Sequence, residues 1–226
     1  MNKMDHTKIF NLLTIVSPNY PIGSFSYSHG LEWTIHEKEI TDKNSFIKWL
    51  QAILFNGSLW TDSVIFFHAY QSLKSQNYTK FKKISNLSLT LQTSKERRLE
   101  TVMQGNAFIK ITKDVGNFDL KKYKLSSNVS YPIAFSIACN LYNLKIEESL
   151  VGLLHSNVSN LVSAGIRLIP LGQTDGQKLL NELSECIISI IPKVKKAKIN
   201  QLGNCCWRSD ISSMKHETQY TRIFRS

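Results

Sequence analysis

Apolar residues recur at steps of three and four along most of the chain, the period of an α-helix with one buried face. The clearest case is Ile146 to Ile169, where Leu150, Leu154, Val158, Leu161, Gly165 and Leu168 share one face. Ala164 and Gly165 leave room for a neighbouring helix, and Pro170 ends the pattern. The opposite register, Ser156, Asn160, Ser163 and Arg167, is a polar stripe. Simple amphipathicity accounts for it, with Arg167 placed to reach a partner or to tie down the loop that follows.

The same period predicts a helix over Ile9 to Val16, ended by Ser17-Pro18. Asn44 to Gln71 turns Phe46, Ile47, Leu50, Ile53 and Leu54 inward and breaks near Gly57. Thr79 to Thr90 and Ser94 to Ile111 form a further pair. In the second, Leu99, Val102, Asn106 and Ile109 alternate with the charged run Lys95, Glu96, Arg97, Arg98. Tyr131 to Tyr142 opens with Pro132 in its first turn, where proline is tolerated. Thr174 to Gln177 has a capping-box pattern, predicting a helix from Gly176 to Ile191 that stops before Pro192.

No sustained period-two alternation appears, and no Asn-Gly hairpin signal. The expectation is an all-α fold: one single-domain bundle of about nine or ten helices over residues 1–192. Residues 193–226 read differently. They are polar and basic, with scattered anchors at Trp207, Ile211, Met214, Tyr220 and Phe224. That predicts a C-terminal tail that stays mobile until a partner orders it. Removing everything after Ser212 is accordingly expected to leave a folded chain that no longer assembles.

Composition narrows the class. The 226 residues are 42% hydrophobic and 20% charged, a balance that supports a buried core. The net charge of +11 favours acidic partners, but the lysines form short scattered clusters rather than one block. A basic nucleic-acid-binding module is therefore the alternative reading. Against it, the aromatics are not interleaved with Lys and Arg as a stacking platform requires. The four cysteines include no Cys-x-x-Cys pair, and adjacent Cys205-Cys206 suits neither a disulfide nor zinc. Met1 to Lys8 is polar, and no apolar run reaches about 18 residues, so a cytoplasmic chain without membrane contact is expected.

Catalytic motifs fail one by one. Gly23-Ser-Phe-Ser-Tyr-Ser-His-Gly30 is rich in serine, but no serine has glycine two residues away on both sides. No Gly-Lys-Ser/Thr phosphate loop exists. His216-Glu217 is half of a zinc-protease motif, with Tyr220 where the second His belongs. His29 and His36 lie seven apart with no third ligand nearby. The chain is expected to be no enzyme, with no catalytic residue and no metal site of its own.

Three runs, in order, carry a family resemblance. They are Pro21-Ile-Gly-Ser-Phe-Ser-Tyr-Ser-His-Gly-Leu-Glu32, Arg167-Leu-Ile-Pro-Leu-Gly-Gln-Thr-Asp-Gly-Gln177, and Met214-Lys-His-Glu-Thr-Gln-Tyr-Thr-Arg-Ile-Phe-Arg-Ser226. Together they resemble the urease accessory protein F (UreF) family. Ser94 to Gly105 and Tyr131-Pro-Ile-Ala-Phe135 resemble its central helix and a Pro-x-Ala-Phe helix start.

The resemblance implies an all-helical homodimer that serves as a chaperone subunit. Its partners would be accessory protein D (also called H), the accessory GTPase G, whose turnover it modulates, and apo-urease. No cofactor would be tightly bound, and nickel would be handled transiently by the complex. The resemblance also implies a tail ordered by the D/H partner. The expected partner-binding residues are Met214, His216, Glu217, Tyr220, Arg222, Phe224 and Arg225 of the tail, Arg167, Gln173 and Asp175 of the middle run, and Phe25, Tyr27 and Glu32 of the first. Arg167, Arg222 and Arg225 are the arginines on offer to a partner's nucleotide site.

Overall fold

The computed structural model describes residues 5–203 and 206–226. Among them are ten α-helices: α1 (His6–Val16), α2 (Leu31–His36), α3 (Lys43–Asn56), α4 (Ser58–Lys74), α5 (Tyr78–Thr90), α6 (Lys95–Gly116), α7 (Tyr131–Leu141), α8 (Ile146–Leu168), α9 (Gln173–Lys196) and α10 (Trp207–His216). Among the described residues there is no β-strand, so the fold is all-α.

The centre is α7. Every residue from Tyr131 to Cys139 is buried, as a helix apolar on all sides requires. Helices α4 and α6 flank it, and α8 pairs with α9. An aromatic ladder ties these layers together. Phe66 and Phe108 pack on Phe135 with ring centroids 5.5 and 5.8 Å away, and Tyr20 closes on Phe108 at 4.9 Å. The small step expected on α8 is used: a Cβ on Gly165 would lie 2.3 Å from the ring of Phe46 on α3. Gly57 separates α3 from α4 as its position suggested.

Three expectations need correcting. Helix α9 begins three residues before Gly176, and Thr174 does not cap it; instead the Asp175 carboxylate accepts from the Gly172 amide at 3.2 Å. It also runs through Pro192 to Lys196, across the boundary expected at residue 192. Proline leaves the Ile188 carbonyl without its helical donor, and Ile188 is exposed, so water can serve that oxygen. The segment expected to be a loose tail contains α10, which packs on α2 and α6. Cys139, Cys186 and Cys206 are free thiols, and Cys205 lies outside the described residues.

Helix α6 departs from ordinary amphipathicity. Leu99 and Met103 face solvent, while Glu96, Arg97, Glu100 and Gln104 are buried. Charged side chains on an inward face are costly unless each finds a partner. Those partners define the site.

Candidate functional site: an ionic seat for the C-terminal segment

Four carboxylates line the seat from inside the fold: Glu32 on the first turn of α2, Asp62 on α4, and Glu96 and Glu100 on α6. All four are buried. Glu100 has most of its partners within the body. It meets His29 Nε2 at 2.7 Å, accepts from Gln104 Nε2 at 3.1 Å, and pairs with the Arg97 guanidinium. Burial alone would raise its pKa, but Arg97 and His29 outweigh burial and hold it down at about 2. Asp62 faces Arg97 at 3.9 Å, and burial pushes it up to about 6.

Glu32 and Glu96 are completed by the C-terminal segment. His216, with 0% of its surface exposed, sits between them. Its Nδ1 is 2.7 Å from Glu96 Oε2, and its Nε2 is 3.0 Å from Glu32 Oε2. Burial works against a charged ring there, yet the two carboxylates win and raise its pKa above the ordinary value. An imidazole with an acceptor at both nitrogens is the imidazolium, a donor at both. Glu32 also accepts from the backbone amides of Ile223 at 2.6 Å and Phe224 at 2.9 Å. Arg222 Nη1 donates to Glu96 Oε1 at 2.9 Å.

Four serines finish the seat. The Ser226 carbonyl accepts from both the amide and the hydroxyl of Ser28, at 2.5 and 2.6 Å. The Ser226 hydroxyl donates to Glu100 Oε2 at 2.8 Å. Ser94, the N-cap of α6, meets the Ser213 hydroxyl of α10 at 2.7 Å. Gly30 permits α10 to come this close. Its φ of +78° is a left-handed value, and a Cβ there would sit 2.6 Å from the Ser213 amide nitrogen.

The expected partner-binding residues therefore divide. Glu32, His216 and Phe224 are inside the chain and are held by its own groups; Tyr27 is buried as well. Within this chain their contacts are with the chain's own groups around the C-terminal segment. Glu217 accepts from the Lys95 amide at 2.9 Å, and Arg222 is held by Glu96. Arg167 lies over the Phe224 ring at 4.6 Å and donates to the Phe25 carbonyl at 3.2 Å, so it fastens the first run to the last. Gln173 is exposed, and Asp175 is the α9 cap. Met214, Tyr220, Arg225 and Phe25 remain outward. His29 pairs with Glu100 and His36 with Glu37.

Sequence reasoning missed Ser28, Glu96, Arg97, Glu100 and Ser226. One signal was available: Glu96, Glu100 and Gln104 step by four, a polar stripe as regular as any apolar one.

The seat presents an apolar strip to solvent. On α10, Trp207, Ile211 and Met214 are 72%, 50% and 47% exposed, at the spacing of one helix face. Leu99 and Met103 on α6, and Ile223 and Tyr220, are also outward. Among the described residues, no group of three or more His, Cys, Asp or Glu side chains is placed to hold a metal ion, and no helix is long and apolar enough to cross a membrane.

Comparison with known proteins agrees with the three sequence runs. The family model UreF matches residues 40–184. The urease accessory protein UreF of Rhodopseudomonas palustris strain TIE-1 is 38% identical over 221 residues, covering 96% of this chain and 92% of that protein. The protein of the same name from Bradyrhizobium sp. strain BTAi1 is 35% identical over 228 residues, covering 100% of this chain and 95% of its own length. With a family model over more than half its length and relatives of this identity end to end, the chain belongs to the UreF family of urease accessory proteins.

Proposed function

We propose that this chain is a non-catalytic adaptor in urease maturation. It acts in the cytoplasm, as a homodimer, with accessory protein D/H and the GTPase G, and the assembly docks on apo-urease to place its nickel. Nickel is cargo of the complex in this reading, and nucleotide hydrolysis belongs to the GTPase. The observation that carries the proposal is the apolar strip of α10, held rigidly outward by an ionic seat beneath it. A helix presenting aromatic, aliphatic and Met side chains at helical spacing is a common docking element. Its stiffness lowers the entropy lost on binding.

Two families of contact follow. The strip Trp207, Ile211 and Met214, with Tyr220 beside it, is the surface for D/H. Arg225, exposed and lying against Tyr27, is the arginine offered to the GTPase. The test is co-expression of apo-urease with accessory chains D/H and G, with this chain present, absent, or altered at the strip. Urea hydrolysis that requires the intact chain supports the reading. Full urease activity without it would end the proposal.

A further inference from the structure

The lysine clusters that lie scattered along the sequence are gathered by the fold. Lys80, Lys82 and Lys83 are exposed on the first turns of α5. A short 3₁₀ turn, Lys121–Tyr123, carries exposed Lys121 and Lys122, with exposed Lys124 next to it. Tyr123 clamps this turn to the helix. It is buried, and its ring packs on those of Tyr78 and Phe81 with centroids 6.2 Å away in both cases. Two lysine triplets far apart in sequence are thereby brought side by side. A third cluster adjoins through His68 on α4. His68 Nε2 is 2.9 Å from the Ala197 carbonyl, and Lys196 and Lys198 flank Ala197. Lys80 is near enough to act on the same ring: burial lowers the His68 pKa, and the Lys80 charge lowers it further against the Ala197 bond.

The face is left uncompensated. Among the described residues, the lysines in ion pairs are Lys8, Lys43, Lys145, Lys178 and Lys195, and none of the six on α5 and the turn is one of them. The carboxylates nearest to the turn in sequence are Asp114 and Asp119, and Asp119 accepts from the Lys121 amide at 2.9 Å. The chemistry of the face narrows its partner. Residues 78–90, 119–124 and 196–198 contain no arginine. An ammonium is a compact, strongly hydrated point charge without the fork that grips a phosphate in two places. Phe81 and Tyr123 are buried and Tyr78 is half-buried, so no exposed ring offers a base a stacking platform. Among the described residues of these segments, no large apolar side chain is exposed to enter a membrane.

We infer that this face binds an acidic polypeptide, a mobile segment of Glu and Asp side chains on a partner. Carboxylates on a flexible chain can follow lysines that hold no fixed geometry, and the attraction is one of summed field rather than of single contacts. The inference stands without the urease reading. Helix α10 approaches the chain beyond the opposite end of α5, where Thr93 Oγ1 donates to Asp210 at 2.9 Å, so this face and the α10 strip can be tested apart.

The test is fluorescence anisotropy on the full chain with a labelled peptide of about ten glutamates. It should bind saturably, and weaken at least about tenfold when salt is raised from about 50 to about 200 mM. Lys82→Glu combined with Lys121→Glu should weaken binding at least about tenfold with the melting temperature unchanged. Lys48→Glu combined with Lys178→Glu makes the same change in net charge on exposed lysines elsewhere, and should weaken it less than about twofold. Unlabelled oligothymidylate of equal charge, and vesicles of equal parts phosphatidylcholine and phosphatidylglycerol, should compete less well than unlabelled oligoglutamate. No binding of the glutamate peptide, or equal losses in the two double variants, would overturn the assignment. Tighter binding of the oligothymidylate or of the vesicles would overturn it in favour of a nucleic acid or a membrane surface.

Discussion

Glu32 and His216 are 184 residues apart in sequence and 3.0 Å apart in the fold. The same Glu32 carboxylate holds the amides of Ile223 and Phe224, so one side chain of α2 fixes both α10 and the segment after it. Glu32→Gln keeps the size and removes the charge. The amide has one accepting oxygen where three donors converge, and its NH₂ faces at least one of them. Breaking a buried charge pair costs about 3–5 kcal/mol. For a chain of this length that is a fall in melting temperature of about 6–20 °C. Hydrogen exchange should localise the loss to residues 217–226, with the amides of Ile223 and Phe224 exposed first. A variant melting like the parent would show that Glu32 does not hold the seat.

The seat also has a pH signature. The folded pKa of His216 lies above its ordinary 6.5, because Glu96 and Glu32 outweigh burial. A raised folded value means that its stabilisation is complete below pH 6.5 and is lost as pH climbs through the folded pKa. His29 runs the other way. Burial and then Arg97 depress its pKa, so its contribution is present above pH 6.5 and is lost as pH falls through the lower value. Asp62, pushed up to about 6, loses its contribution between 3.8 and about 6, on the acid side of this window. Melting temperature should therefore decline on the alkaline side of 6.5, and His216→Gln should flatten that limb while leaving the acid limb. An alkaline limb unchanged in His216→Gln would assign it to another group.

Gly30 sets how near α10 can lie. Gly30→Ala places a methyl 2.6 Å from a backbone nitrogen, at a φ that costs an L-residue about 1–2 kcal/mol by itself. The atom it meets is backbone, so α10 must move rather than a side chain rotate. Moving it lengthens the Ser94–Ser213 contact and draws His216 away from both carboxylates. The expected result is a folded bundle with a protected α7 and fast amide exchange throughout α10. Normal protection of α10 in Gly30→Ala would show that the close approach is not needed.

How far the sequence showed this in advance depended on what each element buries. Helix α8 was legible because Leu150, Leu154, Val158 and Leu161 bury ordinary apolar surface at an ordinary period. Helix α10 was not, because it packs inward through Ser209, Ser212, Ser213 and His216 and leaves Trp207, Ile211 and Met214 outside. An inverted pattern of that kind reads as an unanchored tail. Helix α6 misleads for the same reason: Leu99 is outside while Glu96 and Glu100 are inside. The three runs marked Glu32, Arg167 and His216 as important. They carried no information that Glu32 and His216 pair with each other, since a contact across 184 residues has no local period.

The seat changes which experiment can isolate the docking surface. Cutting the chain after Ser212 removes His216, Arg222 and the amides of Ile223 and Phe224 together. Glu32 and Glu96 would then be buried without their partners, and lost assembly would be indistinguishable from lost stability. The expectation that such a truncation stays soundly folded is withdrawn on that ground. Point changes on the outward strip avoid the difficulty. Trp207→Ala and Met214→Ala remove exposed side chains that satisfy no buried group, so each should alter stability by less than about 0.5 kcal/mol. If the strip is the D/H surface, Trp207→Ala should cost about 2 kcal/mol of binding or more, a loss of about thirtyfold in affinity. Titration calorimetry with purified D/H, alongside thermal melts, reads both quantities on one preparation. Glu32→Gln should lose stability first and binding as a consequence, whereas Trp207→Ala should lose binding alone. Parental affinity in the doubly altered Trp207→Ala, Met214→Ala chain would place the D/H surface elsewhere on the molecule.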